Sequence, residues 1–191
     1  SPTITITQAQ ADEAIRELVH RGAVIKRFEV REAETAGLLV RLKAEHLNAA
    51  GRVDSRIIDQ LARLSELALE LRGLPLSDDG LKALLERTKP IGLDVSGTLV
   101  TNRGLAAVGT ATQLRLFDAS FTRVSDDGLK PLTQLRELRH LSLLACEVTD
   151  SGLARLESIS SLREVYLAET RVTAAAVERL RQRLPRCRVE H

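Results

Sequence analysis

The chain has 191 residues, with 28 Lys and Arg against 26 Asp and Glu, a formal net charge of +2 and an aromatic content of 2%. This near-neutral balance gives no global field that would steer the protein to nucleic acid or to an acidic membrane surface. No run of about 18 apolar residues occurs, so no membrane span is predicted. The length suits one domain with a sizeable core, and we expect neither nucleic acid nor a membrane as partner.

The N-terminal segment is predicted to form one helix and two strands. A capping box that begins at Thr7 starts a helix over residues 8–21, whose apolar positions recur at helical spacing. Gly22 fits the left-handed position that ends a helix. Residues 24–30 and 38–42 are predicted to be strands because apolar side chains dominate them and polar turn residues separate them.

Residues 1–37 are interpreted as a cap that covers the exposed end of a repeat array, and a separate dimerising or docking element is the alternative. A degenerate first repeat follows over residues 38–66, with Gly51 in the place that a glycine also occupies in later repeats. This unit is longer than the later ones, and its extra residues are assigned to a helix over residues 52–65. Asp54 as the N-cap of a helix that starts later is the competing interpretation.

From about residue 67 to residue 184, one phrase recurs every 24 residues. Its copies are LSDDGL, VTNRGL, VSDDGL, VTDSGL and VTAAAV, with Gly80, Gly104, Gly128, Gly152 and Ala176 at the same position. Before each copy stands an L-x-L pair, which is typical of a strand with one buried face. Its first members are Leu69, Leu93, Phe117, Leu141 and Val165. After each copy the apolar spacing is helical, so each repeat is a strand, a turn and a short helix, and residues 186–190 form a closing strand.

The first four regular repeat helices are predicted to start at the glycine position and the fifth one residue before it, each after a capping hydroxyl residue. Their predicted bounds are 80–87, 104–110, 128–136, 152–158 and 175–184. The predicted N-caps are Ser77, Thr101, Ser125, Thr149 and Thr173. The acids that follow the caps, such as Asp78 and Asp126, lie where the helix dipole favours negative charge. A calcium or magnesium site is the alternative, but the spacing matches no EF-hand loop, and we expect no metal and no other cofactor.

The turn after each strand carries a small polar residue or a cysteine. These residues are Thr98, Thr122, Cys146 and Thr170, and we predict that they satisfy buried backbone groups of the turn. Cys146 and Cys187 lie two repeats apart, about 10 Å at the spacing of parallel strands, which is beyond disulfide reach. Both thiols are expected to be reduced and buried, which favours a reducing compartment such as the cytoplasm.

The recurring phrase resembles the cysteine-containing type of leucine-rich repeat. The likeness lies in L-x-L, then Thr or Cys, then V-[TS]-D-x-G-L, over roughly residues 38–191. This type occurs in F-box ubiquitin-ligase receptors and in bacterial repeat proteins, and the even step and the Thr-for-Cys replacement look more like the bacterial form. The resemblance implies an α/β, right-handed solenoid with a parallel sheet on the concave face and short helices on the convex face. Proteins of this family bind many unrelated partners.

Strand positions beside the core leucines are expected on the concave face, where we place the candidate partner-binding residues. These are Glu70, Asp94, Leu116, Asp118, His140, Ser142, Leu144, Glu164 and Tyr166. Glu70, Asp94 and Asp118 form an acidic strip that suits a basic partner. A mixed apolar and aromatic patch lies beside this strip.

Three functions are compatible with this surface. We favour a non-catalytic, monomeric module that binds a protein partner bearing a basic patch. The first alternative is a structural or adaptor segment of a larger protein with no ligand of its own. The second is a hydrolase built on Asp118, His140 and Ser142, which is disfavoured because strand amides are committed to the sheet and cannot form an oxyanion hole. The basic C-terminal helix is interpreted as a shield for the last repeat, with an acid- or phosphate-binding patch as the alternative.

Overall fold

The computed structural model describes residues 7–30 and 35–191, in which helices and strands alternate along the chain. The α-helices are α1 Gln8–His20, α2 Ser55–Leu61, α3 Asp78–Leu85, α4 Asn102–Val108, α5 Asp150–Leu156 and α6 Ala174–Arg183. The strands are β1 Val24–Val30, β2 Thr35–Arg41, β3 Leu67–Glu70, β4 Gly92–Asp94, β5 Leu116–Asp118, β6 His140–Ser142, β7 Glu164–Tyr166 and β8 Arg188–Glu190. Two 3-10 segments are Ala44–His46 and Asp126–Gln134. Residues 1–6 and 31–34 of the predicted cap lie outside the described residues.

The eight strands of the described residues form one sheet in chain order. β1 and β2 pair antiparallel, and every later neighbour pairs parallel. The central residues of β4 to β8 are in register and buried: Leu93, Phe117, Leu141, Val165 and Val189. Because side chains alternate across a strand, this register buries one face of the sheet and leaves the other open. The predicted parallel stack of repeats is confirmed.

The buried face of the sheet shares a single core with the helices. Each repeat helix contributes apolar residues three apart, such as Leu81 with Leu84 in α3 and Leu105 with Val108 in α4. No repeat has enough apolar surface to bury its own strand and helix alone, so each stacks on its neighbours. The core therefore runs continuously from α1 to β8, and its stability depends on the stacking.

The N-terminal unit has the predicted capping box and strand. The Oγ1 atom of Thr7 accepts a hydrogen bond from the Gln10 amide at 3.3 Å, and the Gln10 side chain accepts one from the Thr7 amide at 2.9 Å. Helix α1 ends at His20, and Gly22 follows with a φ of +92°. Because β2 begins at Thr35 rather than at the predicted residue 38, β1 and β2 form a longer hairpin than expected.

His46, which follows β2, connects the end of α1 to the segment after β2 through two hydrogen bonds. Its side chain is buried, and its Nδ1 atom accepts a hydrogen bond from the Lys43 amide at 2.8 Å. The proton of the neutral ring is therefore on Nε2, which donates to the carbonyl of Arg21 at 2.8 Å. The C-terminal end of α1 and the segment after β2 are thus tied through one imidazole.

The first repeat differs from the prediction. Its helix is Ser55–Leu61, shorter than the predicted 52–65, and Asp54 caps it by accepting the Arg56 amide at 2.7 Å. The competing interpretation with a later start is therefore confirmed. Gly51, aligned with the helical glycines of later repeats, lies instead in a turn before the helix with a φ of +68°. Its carbonyl accepts the amide of Ser77, so Gly51 serves the next repeat as a backbone acceptor.

Helices α3, α4 and α5 begin two residues before the predicted start, and α6 begins one residue before it. The hydroxyl of Ser77 caps α3 by accepting the Gly80 amide at 3.1 Å, which makes Asp78 the first helical residue. Thr101, Thr149 and Thr173 cap α4, α5 and α6 in the same manner.

The predicted helix over 128–136 is wrong in type and bounds, because the chain forms the 3-10 segment Asp126–Gln134. Pro131 lies inside this segment. Proline lacks the amide hydrogen that an α-helix needs and clashes with the carbonyl four residues earlier, so the tighter and shorter-range pattern replaces the α-helix. Ser125 makes no cap bond here, since its hydroxyl accepts a hydrogen bond from Asn102 Nδ2 at 2.8 Å.

Hydrogen bonds between successive repeats explain the acids after the caps. Asp78 accepts the amide of Thr101 at 2.8 Å and its hydroxyl at 2.7 Å. Asp126 does the same for Thr149, at 2.8 and 2.6 Å. The acids were expected only to complement the helix dipole, whereas each one also fixes the start of the helix in the next repeat. These charge-assisted bonds join consecutive repeats at the N-terminal ends of their helical segments.

The turn residues form the predicted ladder. The hydroxyls of Thr98, Thr122 and Thr170 each donate to a backbone carbonyl three residues earlier at 2.6 Å. Cys146 occupies the same place, and Cys146 and Cys187 are both free and buried. Burial raises the pKa of both thiols, that of Cys187 to about 11, so each is protonated and a weak nucleophile at neutral pH.

Candidate protein-binding surface

The face of the sheet that does not pack against the core carries two parallel rows of side chains, here called the open face. The first row is Leu39, Ala68, Gly92, Leu116, His140, Glu164 and Arg188. The second row is Arg41, Glu70, Asp94, Asp118, Ser142, Tyr166 and Glu190. Eight of the nine predicted site residues lie in these rows. Leu144 lies outside them, in the turn after β6, where its carbonyl accepts the Phe121 amide.

A shallow apolar groove of about 240 Å³ crosses the open face from the cap to β6. Ala68 and Gly92 are buried and form its floor. Phe28 and Leu39 line it on the side of the cap, and Leu116 lines it on the opposite side. His140, Asp94 and Asp118 also line the groove. The groove thus combines residues from β1 to β6.

Phe28 and Leu39 were not among the predicted site residues. The signal was present in the sequence, since Phe28 is the aromatic residue of a predicted strand and Leu39 stands beside the core residue Val40. Phe28 was assigned to the cap over residues 1–37 and Leu39 to the degenerate first repeat over residues 38–66, and neither was counted with the candidate partner-binding residues. Because β2 pairs in parallel with β3 in the register Leu39 to Ala68, the cap hairpin continues the open face instead of ending it.

The predicted acidic strip is smaller than expected. Glu70 forms an ion pair with Arg41 at 2.7 Å, so its charge is compensated within the chain. Asp94 and Asp118, which are neighbours on β4 and β5, form no ion pair within residues 7–30 and 35–191. Two adjacent carboxylates therefore remain uncompensated beside the apolar groove.

Each of these carboxylates is held by the serine two residues later. Asp94 Oδ1 accepts the amide of Ser96 at 2.8 Å and its hydroxyl at 2.6 Å, and Asp118 Oδ1 accepts the amide of Ser120 at 2.8 Å. Burial raises the pKa of Asp94 above its usual value, against the lowering effect of the Ser96 hydrogen bonds, and the charge of Asp118 raises it further. A bound cation would oppose this effect, because an opposite charge nearby favours the ionised form of the Asp94 carboxyl.

His140, Glu164 and Tyr166 form a cluster beside the groove. Nδ1 of His140 lies 3.0 Å from Oε2 of Glu164, a separation that gives an ion pair when the ring is protonated, although Nδ1 makes no well-directed hydrogen bond. The Tyr166 hydroxyl donates to the same carboxylate at 3.2 Å, and the rings of His140 and Tyr166 are 5.2 Å apart. Burial and the Glu164 charge raise the pKa of Tyr166, so its hydroxyl stays protonated. The cluster presents a fixed aromatic surface.

The three residue types of a hydrolytic triad are close but are not connected as a triad requires. The Ser142 hydroxyl shares a 2.7 Å hydrogen bond with the Ser120 hydroxyl, and His140 faces Glu164. Asp118 accepts from the Ser120 amide. A serine nucleophile needs its hydroxyl bonded to the histidine and the histidine bonded to the acid. The geometry gives Ser142 no activating base.

A larger depression of about 390 Å³ lies on the helical side between α3 and α4. Its lining includes Asp78 and Asp79, which are already engaged with Thr101 and Arg103. These groups hold the repeats together and have no unmet charge to offer a ligand. The open face is the better candidate site for this reason.

Within the described part of the chain, no group of three or more His, Cys, Asp or Glu residues is arranged to hold a metal ion. No helix there combines the length and the apolar character needed to cross a bilayer.

The fold is that of a leucine-rich repeat protein, and comparison with solved structures supports this class. An internalin from Listeria monocytogenes superposes with a TM-score of 0.57 at 17% sequence identity, over 73% of this chain and 38% of the internalin. A TDR receptor superposes with a TM-score of 0.50 at 15% identity, over 72% of this chain and 23% of the receptor. The chain therefore spans less than half the length of either protein. Neither a family model nor a curated protein sequence matches it.

Proposed function

We propose that the protein is a non-catalytic protein-interaction module that binds its partner on the open face. The observation that carries this proposal is the apolar groove with the uncompensated carboxylates of Asp94 and Asp118 beside it. Solenoids present an extended face of this kind to their partners. An apolar centre beside unmet charge is the composition expected of a specific interface rather than of an inert surface.

The commitment of the sheet amides supports a non-catalytic role. The amide of Ala119 donates to the Ser142 carbonyl at 3.0 Å, and the amide of Leu143 donates to the Tyr166 carbonyl at 3.0 Å. An oxyanion hole needs donors that are free to bind the developing charge. The amides nearest to Ser142 already have partners, so the hydrolase alternative lacks both a base and an oxyanion hole.

Charge reversal at the centre of the open face is expected to abolish partner capture. Asp118→Arg should abolish capture of the partner from lysate of the native organism. Tyr166→Ala should weaken binding by about 2 kcal/mol, because aromatic residues at interface centres are frequent hot spots. Both side chains are only partly buried, so thermal unfolding should be nearly unchanged. The measurement is the amount of partner retained on immobilised protein, with the unfolding midpoint of each variant.

Asp127→Arg is the matched control, since it makes the same charge change on the helical side, where the Asp127 side chain is 89% exposed. Retention of the partner by Asp127→Arg and loss by Asp118→Arg would support the proposal. Equal retention of the partner by all three variants would contradict binding on the open face and would favour a structural or adaptor segment.

A further inference from the structure

We propose that the groove receives an arginine side chain of the partner, with its aliphatic part on Ala68 and Gly92 and its guanidinium between Asp94 and Asp118. This inference rests on the proposed function, because it names the group that the open face recognises. Its basis is the size of the groove, its apolar lining and the position of the two carboxylates.

The volume of the groove fits one long side chain. Small-molecule sites usually enclose about 300–1,000 Å³, and this groove measures about 240 Å³. Its floor is kept low by Gly92, where an added Cβ would lie 2.9 Å from the Cβ of Ala68 and 3.5 Å from the Cδ1 of Leu116. Because Gly92 has no side chain, the groove keeps a space that the side chain of any other residue would fill.

The two carboxylates match a guanidinium in spacing and in free acceptor atoms. Asp94 and Asp118 are paired positions on adjacent parallel strands, which are about 4.8 Å apart. The serine bonds use Oδ1 of each residue, so within the described residues Oδ2 of each has no hydrogen-bond donor. A guanidinium carries five N–H donors in a planar fork and can bond to both Oδ2 atoms at once.

The lining favours arginine over lysine. The aromatic residues Phe28 and His140 and the aliphatic residues Leu39 and Leu116 line the groove. A guanidinium is weakly hydrated and stacks on aromatic faces, whereas an ammonium is a compact and strongly hydrated charge. The cost of removing water from the cation is therefore smaller for arginine. The raised pKa of Asp94 agrees with this arrangement, because an arriving cation would compensate the carboxylate that burial has stressed.

The test is a methyl NMR titration of the full chain with N-acetyl-arginine methylamide. We expect saturable shifts at the methyls of Leu39, Ala68 and Leu116, with a dissociation constant on the order of millimolar for so small a ligand. The citrulline analogue, which has the same shape without the charge, should bind at least about tenfold more weakly. The lysine analogue should also bind more weakly than the arginine compound.

Asp94→Asn and Asp118→Asn should each weaken binding about tenfold, since each removes one charge-assisted bond. Asparagine retains an oxygen acceptor for the serine amide, so the fold should be kept. Asp127→Asn is the matched control and should bind as the wild type does. Equal binding of the citrulline or lysine analogue, or shifts away from the groove, would overturn the arginine assignment. If the arginine compound fails to bind while Asp118→Arg still abolishes partner capture, the interface stands and only the arginine assignment is lost.

Discussion

Replacement of Phe117 by alanine is expected to lower the free energy of unfolding by about 3–5 kcal/mol, the usual cost of truncating a buried phenylalanine. Phe117 is 1% exposed and lies at the centre of β5, in register with Leu93 on one side and Leu141 on the other. Its removal would leave a cavity between three consecutive repeats. The measurement is equilibrium unfolding in urea with linear extrapolation.

Leu116→Ala is the control, because Leu116 precedes Phe117 in the chain but lies half-buried on the open face. Its expected cost is about 1 kcal/mol, in proportion to the smaller apolar area that it removes from water. Similar losses for the two variants would mean that the two faces of β5 are equally buried, which would contradict the division of the sheet into a core face and an open face.

Gly80→Ala is expected to destabilise the protein by about 3 kcal/mol, at the upper end for overpacked positions. An added Cβ would lie 2.0 Å from the backbone oxygen of Gly51 and 3.2 Å from the Cα of Arg52. No side chain can move to make room, so the backbone contact between the first two repeats must open. Helix propensity alone predicts the opposite sign, a gain of about 1 kcal/mol when alanine replaces glycine in a helix. Urea unfolding of the variant therefore decides between the two effects.

Gly73→Ala separates steric overlap from backbone strain. Gly73 has a φ of +68°, and no atom lies within 4 Å of the place where its Cβ would be. Only the left-handed conformation then costs energy, about 1 kcal/mol. Later repeats carry Phe121 and Ala145 at this position with φ of +57° and +53°, so the fold tolerates a side chain there. A loss at Gly80→Ala no larger than at Gly73→Ala would show that the close contact with Gly51 does not exist.

The regular part of the fold could be predicted from the sequence because two independent periods agree there. The 24-residue step fixes which residues are equivalent, and the L-x-L pair fixes which face of each strand is buried. Phe117, Leu141 and Val165 are accordingly found where the pattern placed them. Equivalent residues in stacked repeats become neighbours in space, so the rows of the open face followed from the alignment of the repeats.

The structure of the N-terminal unit could not be predicted in this way, because the 24-residue period does not extend into it. The extra length of the first repeat made the place of Gly51 ambiguous, and only the geometry shows that its carbonyl bonds to Ser77. β2 pairs in parallel with β3, as the strand of the predicted degenerate first repeat should. The antiparallel pairing of β1 with β2, which brings Phe28 to the groove, has no counterpart in the repeat pattern. Site residues contributed by an irregular segment cannot be found from the repeat alone.

The sequence also could not show which of the predicted acidic residues form ion pairs within the chain. Glu70 and Asp94 occupy equivalent positions in consecutive repeats, yet among the residues that the structure describes only Glu70 has an arginine, Arg41, at ion-pair distance. That difference depends on the position of a side chain from the cap hairpin. It reduces the predicted strip of three acids to the pair that, with the apolar groove, defines the candidate site.

The most direct test of the parallel strand register, which forms the open face, is the measurement of scalar couplings through hydrogen bonds in deuterated protein. Adjacent parallel strands should show couplings from the amide of Val95 to the carbonyl of Asp118 and from the amide of Ala119 to the carbonyl of Ser142, bonds of 2.9 and 3.0 Å. These couplings would place Asp94, Asp118 and Ser142 side by side. Couplings of the same amides to carbonyls of any other strand, or the reciprocal pairs of an antiparallel arrangement, would contradict the account.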